Sequence, residues 1–523
     1  MKGLYYIEAK ISFLRMRQNV KTDILGLVLI VLQWSVCAQA QDKEVEYYAV
    51  LMEGAKVGYA THSRTVADGQ VRTTDTMDVT ISRLGTPLRI RSAETCVETL
   101  KGEPISFEVE QDMGMGTMKT VGTMGEDGTV RVRTSSMGQV QAPSTGSTSS
   151  PQASSGQESS FVWPKGAVMA EGLRLIELER GLKEGASCDV NFFSPGMMEA
   201  IDSRVRVGAK QEVDLFSRVV TLTKVETTMS MPGTGEITTV NFVDDECRAL
   251  KTEMVMMDIK LELAACEKAF ALGGNDVFDI GNKMFLASPE AIKEVKAAKS
   301  ITYYLKPVGE ANGFTIPVSD NQQVARLKDG SVRVVVEPII APAGAKFPYS
   351  GTDAEIVSAT RPSRFLQSDD AKVIALAKRA TGDAKDAAEA ARRIELFVAD
   401  YMVQASLSVG YASASEVAAS RKGDCTEFAV LCAAMCRSAG VPARVVMGIA
   451  YVDNFAGKAG FGGHAWTEAY IGDKWVGLDA TFKASGRGGF DAGHIALASG
   501  DGEPADFFNL ATMLGRFRIE RIE

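Results

Sequence analysis

Apolar and polar residues alternate along the first half of the chain. Between Glu44 and Met137, segments such as EYYAVLM, RTTDTMDVTISRL, PLRIRSAETCVETL, ISFEVEQ and TVRVRTS keep a two-residue period between Gly-containing turns. That period puts every second side chain on one face and predicts an antiparallel sheet with a buried side. It lapses over residues 142–160, APSTGSTSSPQASSGQESS, where large apolar groups are nearly absent and a flexible loop is expected. Alternation resumes over residues 187–262, as in RVVTLTKVETTMSM and ITTVNFVDDECRALKTEMVMMDIKLEL. Both stretches carry a Gly-Thr turn (Gly85-Thr86, Gly233-Thr234) and an acidic residue shortly before a cysteine (Glu94-Thr95-Cys96, Asp245-Glu246-Cys247). A duplicated β unit is one reading of this likeness, and the general similarity of amphipathic strands is the other.

Further on, a short helix is expected around Pro289–Ala298, followed by the strand patterns SITYYLKPV and VRVVVEPII and the loop PAGAKFPYSG. From Ser368 the period becomes helical. Ser368-Asp369-Asp370 can cap AKVIALAKRA, which Thr381-Gly382 breaks; in DAAEAARRIELFVADYM, Ile394, Phe397, Val398 and Tyr401 share a face. The pattern divides the chain into a leader (1–40), an antiparallel β-rich domain (41–270), a connecting segment with a small β subdomain (271–365) and a C-terminal region (366–523), an α+β organisation overall. A length of 523 residues is too great for one core and agrees with such a division.

The leader carries an address. Residues 24–36, ILGLVLIVLQWSV, follow Lys10, Arg15, Arg17 and Lys21 and precede Ala38-Gln39-Ala40, which predicts a signal peptide cleaved before Gln41. Met16 would give a tidier basic start. The competing readings are an uncleaved membrane anchor and a lipoprotein through Cys37, though Trp34-Ser35-Val36 makes a poor lipobox. An extracytoplasmic protein, periplasmic or secreted, is expected, touching membrane only if the leader stays. Disulfides then become permissible, and Cys96, Cys188, Cys247 and Cys266 could pair in three ways or stay free.

Charge removes one class of partner. A net charge of −9 and the lack of any basic stripe interleaved with aromatics argue against nucleic acid. Methionines recur at Met113, Met115, Met118 and Met124 and at Met254, Met256 and Met257, but without His or Cys beside them they read as adaptable packing rather than copper ligands.

The stretch RKGDCTEFAVLCAAMC holds Cys425, Cys432 and Cys436, three of the eight cysteines. Asp424 is a favoured N-cap, Glu427 completes a capping box, and Gly440 with Pro442 supplies a stop, so Cys425 opens a helix. Unpaired N–H groups and the positive end of the dipole favour a thiolate there. Seven helical residues rise about 10.5 Å, too far for a disulfide to Cys432, and the spacing fits no short zinc knuckle. Cys432 and Cys436 are expected to pack beneath a single candidate nucleophile.

Only three histidines can serve it as a base. His62 has no obvious partner, and His494 in FDAGHIAL is a runner-up. His464 lies in GGFGGHAWTEAYIGDKWVGLDATF, where two strands flank a Gly472-Asp473 turn. Pairing Ile471 with Lys474 sets Trp466 opposite Asp479 and His464 opposite Thr481. Asp479 then becomes the diagonal same-face neighbour of His464. The geometry proposes Asp479 as orienter, His464 as base and Cys425 as nucleophile.

Gly423-Asp424-Cys425, Gly440-x-Pro442-x-Arg444, His464-x-Trp466 and the position of Asp479 resemble the transglutaminase-like superfamily over about Ser368–Phe482, less than a quarter of the chain. The resemblance implies a papain-like α+β domain with Cys425, His464 and Asp479 catalytic. It places Trp466, Trp475, Glu468 and Arg444 in the scaffold. Its members include cross-linking enzymes, peptidases, amidases and non-catalytic proteins. The calcium of animal-type members has no Asp-rich loop here, and no cofactor or metal is expected. The leading expectation is an exported enzyme that acts on a peptide or protein through a thioester, hydrolysis ranking above amine transfer. The alternative is a binding or assembly protein that uses the β-rich domain beside a silent catalytic fold. Neither H-E-x-x-H nor G-x-S-x-G is present, which leaves metallohydrolase and serine-hydrolase readings without a motif.

Overall fold

The computed structural model describes residues 45–523 apart from 84, 113, 115, 139–156, 217, 232–234, 257–258, 281–284, 309–313, 406–411, 456–457 and 503–512. The leader with Cys37, most of the Ser-rich loop, Gly233-Thr234, Met113, Met115 and Met257 lie outside the described residues. The end of the expected loop is not loop: residues 157–160 open the strand Gln157–Val162.

The two-residue period of the first half becomes one sheet of fourteen antiparallel strands, built from two meanders. The first runs from Val45 to Val162 and the second from Ser187 to Ala265. They join where the first strand, Val45–Met52, pairs with the last, Ile259–Ala265, in the register Val50↔Leu263. The alternation is literal in Gln70–Arg83, which buries Val71, Thr73, Asp75, Met77, Val79 and Ile81. The sheet curls until its ends meet. Phe193 of the strand Ser187–Ser194 packs against Phe107, Phe161 and Trp163 from the far end, with ring centroids 5.6, 5.6 and 4.5 Å away. Inside the curl, helix α1 (Ala170–Arg180) puts Leu173 into a core with Met77, Ile201 and Met229. Each such side chain contributes roughly 1.5–3 kcal/mol by leaving water. The two acidic–cysteine motifs do not correspond: Cys96 sits within the strand Thr86–Thr99, whereas Cys247 occupies a turn at φ 62°. All four cysteines of this half are free thiols.

The helix expected around Pro289–Ala298 reduces to a 3₁₀ turn, Val295–Ala297, because Glu294 before it takes a left-handed φ of 56°. The strands Ile301–Pro307, Gln322–Arg326 and Val332–Val336 form a four-stranded sheet with Phe517–Ile522, pairing Leu305 with Ile519. Their side chains share one core with the helices that follow, so Tyr303, Val334 and Phe517 pack in the same cluster as Val398 and Leu431.

Those helices are α2 (Ala371–Thr381), α3 (Ala387–Tyr401), α4 (Ala414–Ser420) and α5 (Cys425–Ser438). Asp370 and Asp386 cap α2 and α3 with their carboxylates, and Ser413 with Glu416 forms a capping box on α4. Nearly every residue of α5 is buried, as expected of a helix apolar all round. It packs on a five-stranded sheet that includes Ala443–Phe455, Lys458–Ile471, Lys474–Leu478 and His494–Gly500.

Candidate active site

The site begins at the start of α5. Asp424 accepts the Thr426 N–H at 3.0 Å, and Glu427 reaches back to accept the Asp424 N–H at 2.8 Å. Gly423 has no alternative here: its φ is 149°, and a Cβ would lie 2.3 Å from that of Glu427. The box fixes Cys425 as the first helical residue, half-buried at the edge of the core. Its sulfur meets the strand Lys458–Ile471 at the backbone N–H of Ala465, one residue past His464. Burial pushes the thiol pKa up, and the adjacent Asp424 adds to this, while the Ala465 N–H and Arg83 pull against them. Cys432 and Cys436 are buried in the core beneath.

His464 is buried on the same strand. Its Nε2 lies 2.9 Å from Asp479 Oδ2, and the Phe482 ring covers it with centroids 4.6 Å apart. The hairpin forms through Gly472 and Asp473, both at positive φ (57° and 64°), with Ile471 opposite Lys474. Pairing stops at Thr467↔Leu478, however. Asp479 is not a strand residue but the N-cap of a short helix, Ala480–Ala484, and its Oδ1 accepts the Phe482 N–H at 2.9 Å. The contact with His464 therefore forms, but through a cap turn rather than the diagonal of a continuing ladder.

His494 enters as a second imidazole. Its Nε2 lies 3.1 Å from the same Asp479 Oδ2, and its Nδ1 lies 3.0 Å from Asp491 Oδ1. Glu395 of α3 accepts the Asp479 N–H at 2.8 Å. Burial opposes charge on Asp479, yet the two imidazoles hold its carboxyl well below the usual carboxylate range. Burial likewise opposes charge on His494, but its hydrogen bonds to the Asp479 and Asp491 carboxylates prevail and raise its pKa to about 9. Sequence reasoning ranked His494 only second to His464; the acidic residue three positions before it was the available signal.

One group arrives from far upstream. Arg83, closing the strand Gln70–Arg83, places Nη2 2.7 Å from Asp424 Oδ2. The scaffold residues occupy structural roles: Arg444 pairs with Glu468 at 2.7 Å and lies 4.1 Å over the Trp475 ring. Trp466 is buried with its ring 5.2 Å from that of His494. His62, expected without a partner, lies 2.7 Å from Asp75 inside the N-terminal sheet.

Donor atoms of His464, Asp479 and His494 all fall within 4.8 Å of one another. Two imidazoles and a carboxylate are a suitable donor set for a transition metal. Here the Nε2 atoms already share Asp479 Oδ2, so a metal would have to replace those hydrogen bonds.

Residues 374–480 match the family model described as the transglutaminase-like superfamily, and this part of the chain is a transglutaminase-like domain. Among solved structures, the chain is similar to a candidate cysteine protease from Cytophaga hutchinsonii, 22% identical over 43% of this chain and 82% of that one, with a TM-score of 0.29. It is also similar to a β-barrel-like protein of a domain family of unknown function from Brucella abortus, 12% identical over 43% of this chain and 95% of that one, with a TM-score of 0.29. A candidate protease from Parabacteroides distasonis is 12% identical over 72% of this chain and 69% of its own, with a TM-score of 0.19. No curated protein matches the chain. The expected α+β class and the resemblance drawn from the motifs agree with the family match.

Proposed function

We propose that the chain is an exported cysteine-dependent enzyme that hydrolyses peptide or side-chain amide bonds through a thioester. The observation that carries this reading is the thiol of Cys425, at a helix start and against the strand whose His464 is hydrogen-bonded to the buried Asp479. With Nε2 turned to Asp479, Nδ1 is the imidazole nitrogen left to serve the thiol. Burial keeps the resting thiol protonated, so attack requires His464 to remove the proton as the sulfur closes on the carbonyl carbon. Backbone N–H groups at the start of α5 hold the developing oxyanion. His464 then protonates the departing amine, and the thioester remains on Cys425. Water, deprotonated by His464, releases the acid and restores the thiol. Asp479 keeps the ring oriented and supports its charged form.

A second reading, a binding protein with a silent catalytic domain, draws on a cavity of about 430 Å³ in the N-terminal half, walled by Leu182, Val205, Val207, Val225 and Val243. Incubation with a peptide pool and a labelled primary amine separates the readings. Free acid without amine incorporation is expected. Amine in the product would make the chain a transferase, and no product of either kind would favour the binding reading.

A further inference from the structure

The N-terminal sheet touches the catalytic domain at two points of one rim. The hairpin after Arg83 and the turn after Asp112 lie at the same end of the antiparallel sheet. At the second point, Arg364 Nη2 donates to Gln111 Oε1 at 2.7 Å, and Met118 joins the same core as Phe365. At the first, the hairpin is tied in place before Arg83 reaches out. Asp279 accepts the Ser82 hydroxyl at 2.6 Å and the Gly85 N–H at 2.7 Å, while Ser82 exchanges backbone bonds with Phe278 and Ile280 at 2.8 and 2.9 Å. The Arg83 side chain is only 15% exposed, and that of Asp424, which it meets, 9%.

We propose that Arg83, delivered by the N-terminal sheet, is a positioning residue for the nucleophile: it ties down Asp424 and balances that charge beside Cys425. The proposal rests on the thiol-enzyme reading above. Asp424 has two duties that compete. One oxygen caps α5, and its charge, next to the thiol, opposes a thiolate. Glu427 stands behind it, but burial and then Asp424 raise its carboxyl well above the ordinary range, so Asp424 carries the charge at issue. Arg83 is the cation set against Asp424, and it acts on both Asp424 and Cys425. The other charged or titratable groups round the helix start are His464 on its strand, Asp479 and His494 beyond it, and Glu395 from α3. The β-rich half thus completes the site it abuts: without it, the capping carboxylate would work against the chemistry.

The test is the pH profile of Cys425 alkylation by iodoacetamide in the full chain, read by peptide mass spectrometry. Arg83→Gln is expected to slow alkylation about tenfold near neutrality and move the profile up by about one pH unit. Arg83→Lys should fall between this and the wild type. Asn caps helices as well as Asp, so Arg83→Gln combined with Asp424→Asn should return the profile toward the wild type. An Arg83→Gln profile superimposable on the wild type, or a double variant no better than the single one, would overturn the proposal. Equal labelling of Cys425 and Cys432 in the wild type would instead overturn the thiol-enzyme reading beneath it. Arg83→Lys retains the ion pair and keeps the comparison readable if the Gln variant unfolds.

Discussion

In the N-terminal sheet, His62 lies 2.7 Å from Asp75, and the neighbouring strand adds Glu94 and Cys96, all four buried. In the C-terminal domain, His464 lies 2.9 Å from Asp479, and Cys425 packs against the same strand. The residue types match, yet the surroundings of the thiols differ. Cys96 is fixed in mid-strand, 2% exposed. Burial first, then Glu94, Glu98 and Asp75, hold its thiol protonated. Cys425 sits at a helix start and is only partly buried; burial and Asp424 raise its thiol as well, but a backbone N–H and an arginine pull the other way. Under the proposed mechanism, a His–Asp pair nearby is not enough to mark a thiol for chemistry; its position on the backbone and its access must also differ, as they do between Cys425 and Cys96.

The largest effect expected from this contrast is on turnover. Cys425→Ala should reduce peptide hydrolysis by at least ~10³-fold, whereas Cys96→Ala should leave kcat unchanged in protein that remains folded. Steady-state kinetics on both variants checks it, and loss of kcat in folded Cys96→Ala would break the contrast. Next in size, His464→Gln should lower kcat/KM by about 10²–10⁴-fold. His62→Gln should lower the melting temperature without moving kcat/KM, and the same pair of measurements decides both.

The smallest effects concern pH and stability. The raised pKa of Glu94, about 8, arises chiefly from burial and secondarily from Asp75. The folded state therefore holds a proton that the unfolded chain releases near its ordinary value. Stability from this group is full at low pH and declines as pH rises toward 8. Glu94→Gln should stabilise the protein increasingly over that window, by a few kcal/mol at most, roughly. His494, raised to about 9, favours the folded state fully below its ordinary value of 6.5 and loses that advantage as pH rises through 9. Melting curves of His494→Gln should accordingly lie furthest below the wild type near pH 6 and approach it by pH 10. Two parallel curves, with a constant gap, would sink this account of His494.

What was legible in the sequence was local. The capping box of Asp424 and Glu427 and the Gly472-Asp473 turn each depend on residues three or four apart, and both formed. The meander followed from the two-residue period, but not the pairing of Val45–Met52 with Ile259–Ala265, which no local pattern encodes. Asp479 was found by counting along a hairpin that in fact ends one residue earlier; its role as an N-cap had its own signal in the helix-forming Ala480–Ala484. Arg83 and the partner of His62 stayed hidden because strand pairing and domain contact create them. The helix expected near Pro289 failed at one backbone angle, that of Glu294.

The pairing of Phe517–Ile522 with Ile301–Pro307 bears on timing. A ribosome delivers the inner strand early, then the cysteine helix, then the two histidines, and only afterwards the strand that closes the sheet. During synthesis Cys425 emerges before His464 and His494, and the core beneath the cysteine helix lacks its last wall until that strand arrives. Loops closed over such separations form slowly. The core beneath the cysteine helix can therefore be completed only once the C-terminal strand has been made.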